Sequence, residues 1–138
     1  MSAVRKLRVR VPGQGLHEIT AEIEQIVSQE GNGDGLCTVF IPHTSASLMI
    51  QENADPSAVS DLERWLDRLV PEDDRLYTHT AEGPDDMPAH IKAALTATSI
   101  SIPVQGGRLA LGTWQGVFLW EHRRSRGERD VIIHVANL

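Results

Sequence analysis

The 138-residue chain is poor in cysteine, in aromatic residues and in long apolar segments. Its single cysteine, Cys37, excludes an intramolecular disulfide and a cysteine-rich zinc site, and it suits a protein of the reducing cytoplasm. The longest apolar runs, such as Val117–Trp120, are too short to span a bilayer. No apolar block follows the basic residues of the N-terminus, so we expect no secretory signal. These features together predict a cytoplasmic protein without a membrane segment.

An excess of positive charge is also missing. Thirteen basic residues face 19 acidic ones, which gives a net charge of −6 and argues against bulk attraction to nucleic acid. The arginine-rich segment 123–129 is more typical of a solvated hairpin turn than of a binding patch, although both interpretations stay open. A hydrophobic content of 41% with 23% charged residues predicts a folded chain, and we expect residues 1–138 to form one domain.

The hydrophobic pattern predicts an α+β fold with a mostly antiparallel, two-layer β structure and about three helices. Helices are expected at residues 16–30, from an Asp55 N-cap to about Leu69, and at about 88–97. Strands are expected at residues 4–11, 36–42, 45–51, 99–104, 108–111, 116–121 and 130–135. Gly106-Gly107 predicts one hairpin turn, and Arg124–Gly127 predicts another. So many strands in a short chain leave exposed edges or a half-covered face, which oligomerisation would cover.

Three of the six histidines lie where elements end and where functional side chains concentrate, namely His43, His79 and His90. Three imidazoles can hold a zinc-like ion and leave one position open. The chain has no His-x-x-x-His motif, so spacing alone does not decide for a metal site. For the other histidines, His17, His122 and His134, a structural or surface role is favoured.

Two polar segments are further candidates. Glu52 and Asn53 follow a predicted strand and have no evident capping role, so Glu52 is a candidate general base or a partner of a metal ligand. In Gly112–Gly116, glycines bracket Thr113 and Gln115, which offer hydrogen bonds to a ligand. A bulged connection that buries Trp114 explains this segment equally well.

Four segments in order resemble the motifs of the YjbQ family, and the resemblance extends from about Leu7 to the C-terminus. They are Pro42–Leu48, Glu52–Pro56, Glu82–Lys92 and Gly107–Gly116, the last with the signature Gly-Thr-Trp-Gln. The resemblance implies a compact α+β protein that forms trimers, with histidines lining a site between subunits. It also implies a secondary thiamine-phosphate synthase, which joins hydroxymethylpyrimidine diphosphate to a thiazole phosphate and releases diphosphate.

The resemblance assigns roles to individual residues. It implies a divalent metal, with zinc favoured and magnesium suited to a diphosphate substrate, held by His43, His79 and His90. It further implies acid/base or ligand-orienting roles for Glu52 and Asp86. The positions that match its contacts to a phosphorylated substrate are Asn53, Lys92, Arg108, Thr113 and Gln115. A metal-dependent hydrolase of a small metabolite, or a non-catalytic trimer that binds a metal or a small anion, would use the same residues.

Overall fold

The structure is a computed structural model that describes residues 2–137. Within that range it contains eight strands and three α-helices. The strands are β1 (Ser2–Val11), β2 (Gly15–Glu18), β3 (Gly35–Phe40), β4 (Ala46–Glu52), β5 (Ser99–Gln105), β6 (Arg108–Leu109), β7 (Gln115–Glu121) and β8 (Gly127–Asn137). The helices are α1 (Thr20–Gln29), α2 (Pro56–Leu69) and α3 (Asp86–Leu95), with a short 3-10 helix at Asp74–Leu76. The predicted α+β class with three helices is confirmed.

Two antiparallel sheets form the framework. The larger has five strands in the order β1-β8-β3-β5-β6, and the smaller has three in the order β2-β7-β4. Apolar side chains from both sheets and from α1 form one core, which includes Ile23, Val39, Leu119 and Ile133. Because β7 has buried side chains on both faces from Gly116 to Glu121, its sequence is a continuous apolar run rather than an alternating one.

Helices α2 and α3 cover the other face of the smaller sheet. Leu66 and Val70, at the end of α2, pack with Trp120 of β7, and Ile91 of α3 joins them. The N-terminal half of α3 also lies beside the segment that leads into β4. His90 there donates a hydrogen bond to the carbonyl oxygen of Thr44. The helices thus carry the candidate residues to one end of the small sheet.

The outer face of the five-stranded sheet has no helix against it within the described residues. Its strands alternate between core-facing and outward-facing side chains. The outward positions include Val4, Leu36 and Phe40, which are 68%, 40% and 44% exposed. Of the two alternatives that the sequence left open, exposed edges or a half-covered face, the exposure of these side chains agrees with the second.

The predicted start of the first helix is wrong. Residues 15–18 form β2, and the helix begins at Thr20. Leu16 and His17 pair with β7, and the Leu16 N–H donates to the Glu63 carboxylate. Leu16 and Ile19 fit the helical spacing, but pairing with a buried strand satisfies the backbone at this point.

The predicted hairpin around Arg124–Gly127 is also wrong. The two flanking strands, β7 and β8, belong to different sheets, so residues 122–126 form a crossover between them. A periodicity of two identifies a strand but does not name its partner. By contrast, the β5–β6 hairpin is confirmed: Gln105 pairs with Arg108 across Gly106 and Gly107, whose φ angles are +58° and +78°.

The Asp55 cap is confirmed as well. Its carboxylate accepts from the backbone N–H of Ser57 at 2.9 Å, and Pro56 opens the helix. Among residues 2–137, no helix combines the length and the hydropathy that a bilayer crossing requires.

Candidate functional site

Three side chains with metal-binding atoms converge at the start of α3. Asp86 and His90 lie four residues apart, which puts them on the same face of the helix, and the preceding loop folds His79 against them. Asp86 Oδ2 lies 2.8 Å from His79 Nε2 and 3.3 Å from His90 Nε2. One ligand atom from each residue lies within 4.8 Å of the other two. This group is called the His79–Asp86–His90 cluster below.

The hydrogen bond of His90 decides which of its nitrogens is free. His90 Nδ1 lies 2.9 Å from the carbonyl oxygen of Thr44, an atom that can only accept, so Nδ1 carries the proton. In the neutral ring, Nε2 therefore presents a lone pair toward an oxygen of Asp86. Two acceptors facing each other repel unless a cation lies between them or the ring is protonated. A carbonyl that fixes the tautomer in this way is the usual support of a metal-binding histidine.

Arg123 holds Asp86 from the opposite side. Its Nη1 donates to Asp86 Oδ1 at 2.7 Å, and its Nε donates to Asp85 at 3.0 Å. Asp86 is only 1% exposed, so this guanidinium supplies the charge that permits a buried carboxylate. Oδ2 stays directed at the two histidines.

The neighbouring Asp85 is stabilised in its charged form. Burial alone would raise the pKa of Asp85, but hydrogen bonds from the Arg124 backbone and the Arg123 side chain outweigh it and lower that pKa. The same contacts with Asp85 raise the pKa of Arg123. The loop before α3 is thereby tied to the crossover that follows β7.

His43 lies next to this cluster without being part of it. Its Nε2 accepts from the Asp130 backbone N–H at 3.0 Å, so Nδ1 carries the proton of the neutral ring. Burial, reinforced by the charge of Arg129, lowers the pKa of His43 and favours that neutral form. His43 and His90 line the same shallow, mainly apolar groove, together with Ala93 and Ala94.

The residues predicted around Glu52 lie at the far end of the small sheet. Ala46 pairs with Glu121 near the cluster, whereas Glu52 pairs with Gln115. Six residues of strand separate these ends, or about 20 Å within one chain at ~3.3 Å per residue. Asn53 donates to Glu18 at 2.9 Å, and Glu18 is a nearby carboxylate that the sequence analysis did not select.

The Gly112–Gly116 loop is held by its own residues. Gln115 accepts from the Gly112 backbone N–H at 2.8 Å, and Trp114 accepts through its carbonyl from Asn53. The Trp114 side chain is 65% exposed, so the interpretation that buries it in the core is wrong. Thr113 lies in the same exposed loop.

The two predicted cationic contacts are placed apart from the cluster. Lys92 is buried between α2 and α3, where its ammonium lies 2.6 Å from Asp67. Arg108 lies on β6, at the edge of the larger sheet, with Glu24 at 3.7 Å. Neither residue contacts the cluster.

The remaining histidines have structural or surface positions, as predicted. His122 is buried and lies 2.9 Å from Ser47 Oγ through Nε2. His17 lies 2.8 Å from the Gly13 carbonyl, and His134 is half-buried on the outer face of the larger sheet. Ser47 has no exposed surface, so this Ser–His pair cannot reach a substrate.

Known sequences match almost the whole chain. The profile of the family described as "UPF0047 protein YjbQ-like" matches residues 5–137. The chain belongs to this family. A UPF0047 protein of Synechocystis sp. is 56% identical over 130 residues, which are 94% of this YjbQ-like chain and 88% of that relative. The YjbQ protein of Escherichia coli O157:H7 is 43% identical over 129 residues, or 93% of each chain.

Solved structures share the YjbQ-like fold. An uncharacterised YjbQ/UPF0047 protein of Clostridium acetobutylicum superposes with a TM-score of 0.86 at 32% identity, covering 96% of this chain and 99% of that one. A conserved hypothetical protein of Thermus thermophilus gives 0.84 at 35% identity, with the same coverage of both chains. The resemblance drawn from the four motifs is confirmed.

Sequence reasoning missed two arginines of this YjbQ-like site. Arg123 binds Asp85 and Asp86, and Arg129 binds Glu121 with a shortest contact of 2.5 Å. Both arginines lie in the segment that was favoured as a solvated turn. The available signal was the acidic pair Asp85-Asp86 at the start of α3, which needs a positive charge when it is buried.

Proposed function

We propose that this YjbQ-like protein is a metal-dependent enzyme that acts on a small phosphorylated metabolite. The observation that carries the proposal is the geometry of His90, whose Nδ1 donates to Thr44 and whose Nε2 lies 3.3 Å from the buried Asp86 carboxylate. A divalent cation held by these residues would compensate the charge of the carboxylate and accept the imidazole nitrogen as a ligand. His79 adds a second imidazole, and its own Nε2 faces the same carboxylate oxygen.

The donor set fits a zinc-like ion. Two imidazoles and one carboxylate are ligands that zinc accepts in catalytic sites, with a further position left for water or substrate. In this proposal His79, Asp86 and His90 are the ligands. His43 takes a different role, because its Nε2 is occupied by Asp130 and its Nδ1 carries a proton.

The reaction that we propose is of the thiamine-phosphate synthase type indicated by the family resemblance. A bound divalent ion would neutralise the charge that develops on a leaving diphosphate. The chain itself contributes the groove beside His90, and the His43 Nδ1–H can donate to a substrate oxygen there. Magnesium would enter with a diphosphate substrate rather than as a resident ion.

The proposal includes a homotrimer. Within one chain, Glu52, Asn53, Thr113 and Gln115 lie too far from the cluster to act on the same small molecule. A neighbouring subunit can bring these residues to the groove, and the exposed Trp114 beside them supplies contact area for it. The same proposal places the protein in the cytoplasm, where the buried, unpaired Cys37 stays reduced.

Metal content tests the ligand assignment directly. The protein purified without chelators should hold about one ion per chain by elemental analysis, and the His79→Ala/His90→Ala variant should hold none. The matched control is His43→Ala, which removes a neighbouring imidazole and should keep the ion. Unchanged metal in the double variant would refute the site, and loss in His43→Ala would restore His43 as a ligand.

Turnover separates the enzyme from a binding protein. Thiamine-phosphate formation should require the ion and should fall at least 100-fold in Glu52→Gln, which leaves the three proposed ligands in place, while substrate affinity changes far less. Absence of turnover at every metal content would support a non-catalytic trimer. Release of inorganic phosphate from a single substrate would support a hydrolase instead.

A further inference from the structure

The groove beside the cluster continues into a region lined by arginines. The middle part of the groove is lined by His43, Thr44, Ser45 and Arg129. Ser45 and Arg129 also line its far part, so the two parts are adjacent. The far part is bordered by Ser125 and Arg126 of the crossover. The groove is mainly apolar beside α3 and becomes polar at this far end.

Most charges at the polar end are already paired. Arg129 is paired with Glu121, which is 2% exposed. Glu128 is paired with two residues of β1, Arg8 at 3.5 Å and Arg10 at 3.8 Å. Glu121 is thus neutralised by a largely buried arginine, whereas Glu128 is paired only at the surface, with Arg8 and Arg10 that are 64% and 87% exposed.

Arg126 is different from its neighbours. Among residues 2–137 it has no acidic partner within ion-pair distance and no side-chain hydrogen bond. Arg129 uses Nε and Nη2 for Glu121 and Ser45, and its Nη1 has no partner in the described part of the chain. The Ser125 hydroxyl likewise has no partner there. Arg126 therefore adds a positive charge beside free donors at this end of the groove.

We propose that the Arg126 end of the groove is a subsite for a phosphoryl group of the substrate. Arg126 supplies the uncompensated charge, and the Arg129 Nη1 and Ser125 hydroxyl supply hydrogen bonds. A guanidinium suits this role because its planar donors match two phosphate oxygens at once. The proposal rests on the proposed function, in which the substrate spans the groove from the cluster to this end.

Phosphate titration of the metal-stripped protein tests the subsite. With inorganic phosphate as the probe, at low ionic strength and in the presence of EDTA, wild-type protein should show saturable binding by calorimetry or NMR shifts. Arg126→Gln should bind at least five-fold more weakly. The matched control is Arg64→Gln, an exposed arginine of α2 paired with Asp61, which should bind as wild type does. Equal affinity in wild type and Arg126→Gln, or an equal loss in both variants, would overturn the subsite.

The metal variants separate this inference from the proposed function. Phosphate binding should persist in His79→Ala/His90→Ala, and Arg126→Gln should still hold about one metal ion per chain. If the metal assignment fails while phosphate binding still depends on Arg126, the subsite stands alone. If phosphate binding disappears with the two histidines, the anion binds at the cluster and the subsite is refuted.

Discussion

At the scale of single residues, the buried His122 links stability to pH. Burial, together with the charges of Lys92 and Arg129, lowers the pKa of His122 from 6.5 to about 3. Below pH 6.5 the unfolded chain binds a proton there that the folded chain does not. The stability contributed by the neutral imidazole is therefore complete above pH 6.5 and is lost as the pH falls toward 3, with a slope that approaches 1.4 kcal/mol per pH unit, or about one proton.

Urea unfolding between pH 7 and pH 4 measures this contribution. His122→Asn should remove about one proton from the pH dependence relative to wild type. His134→Asn, at a half-buried surface position, is the matched control. Identical slopes in wild type and His122→Asn would show that His122 is not neutral in the folded state.

The residues of the cluster differ in how far the sequence reveals them. Asp86 and His90 form a local pair on one helix, so their proximity can be predicted once the helix is recognised. The contact between Arg123 and Asp86 joins residues 37 positions apart. No local pattern encodes it, because it depends on how the crossover after β7 packs against α3.

At the scale of elements, the two adjacent glycines of the β5–β6 turn differ in the space around them, so we expect their substitution to destabilise the protein to different extents. Both have left-handed backbone angles, which cost a side chain about 1 kcal/mol. A Cβ on Gly107 would also lie 2.8 Å from the Asn32 Cα, whereas nothing lies within 4 Å of one on Gly106. We expect Gly107→Ala to lower the free energy of unfolding by about 3 kcal/mol and Gly106→Ala by about 1 kcal/mol.

Chemical denaturation of the two variants provides the comparison, and each serves as the control for the other. Equal losses of unfolding free energy in the two variants would mean that Asn32 moves away from the new Cβ without destabilising the protein. A larger loss in Gly106→Ala would contradict the packing of this turn against the loop after α1.

The element predictions succeeded where local chemistry is sufficient. Asp55-Pro56 and Gly106-Gly107 define a helix start and a turn without help from the rest of the chain. The start of α1 and the partners of β7 and β8 were wrong for the opposite reason. Residues 15–18 become a strand only because β7 offers them hydrogen-bond partners, and that pairing is tertiary information.

At the scale of the whole molecule, the uncovered face of the larger sheet supports the proposed trimer. Light scattering should report the mass of three 15.2-kDa chains at micromolar concentration. Leu36→Asp/Phe40→Asp places two charges on this face and should shift the protein toward monomers, since desolvating unpaired charges opposes association. Leu76→Asp is the matched control, because Leu76 is also exposed but lies in the 3-10 helix.

Retention of the trimer by the double variant would exclude this face as the interface. A wild-type monomer would refute the trimer itself. Dissociation of the Leu76 variant alone would move the interface to the loop that carries His79.

The pairing of β1 with β8 also orders events during synthesis. Val4 pairs with His134, so β1 has no strand partner until β8 has been made. Until then β1 is an unpaired strand, and β3 lacks the neighbour that β8 provides between β1 and β3. The smaller sheet is complete once β7 has been made, whereas the larger one can close only after β8 has been made. A ribosome-bound chain should therefore protect the amides of β4 and β7 from exchange well before those of β1.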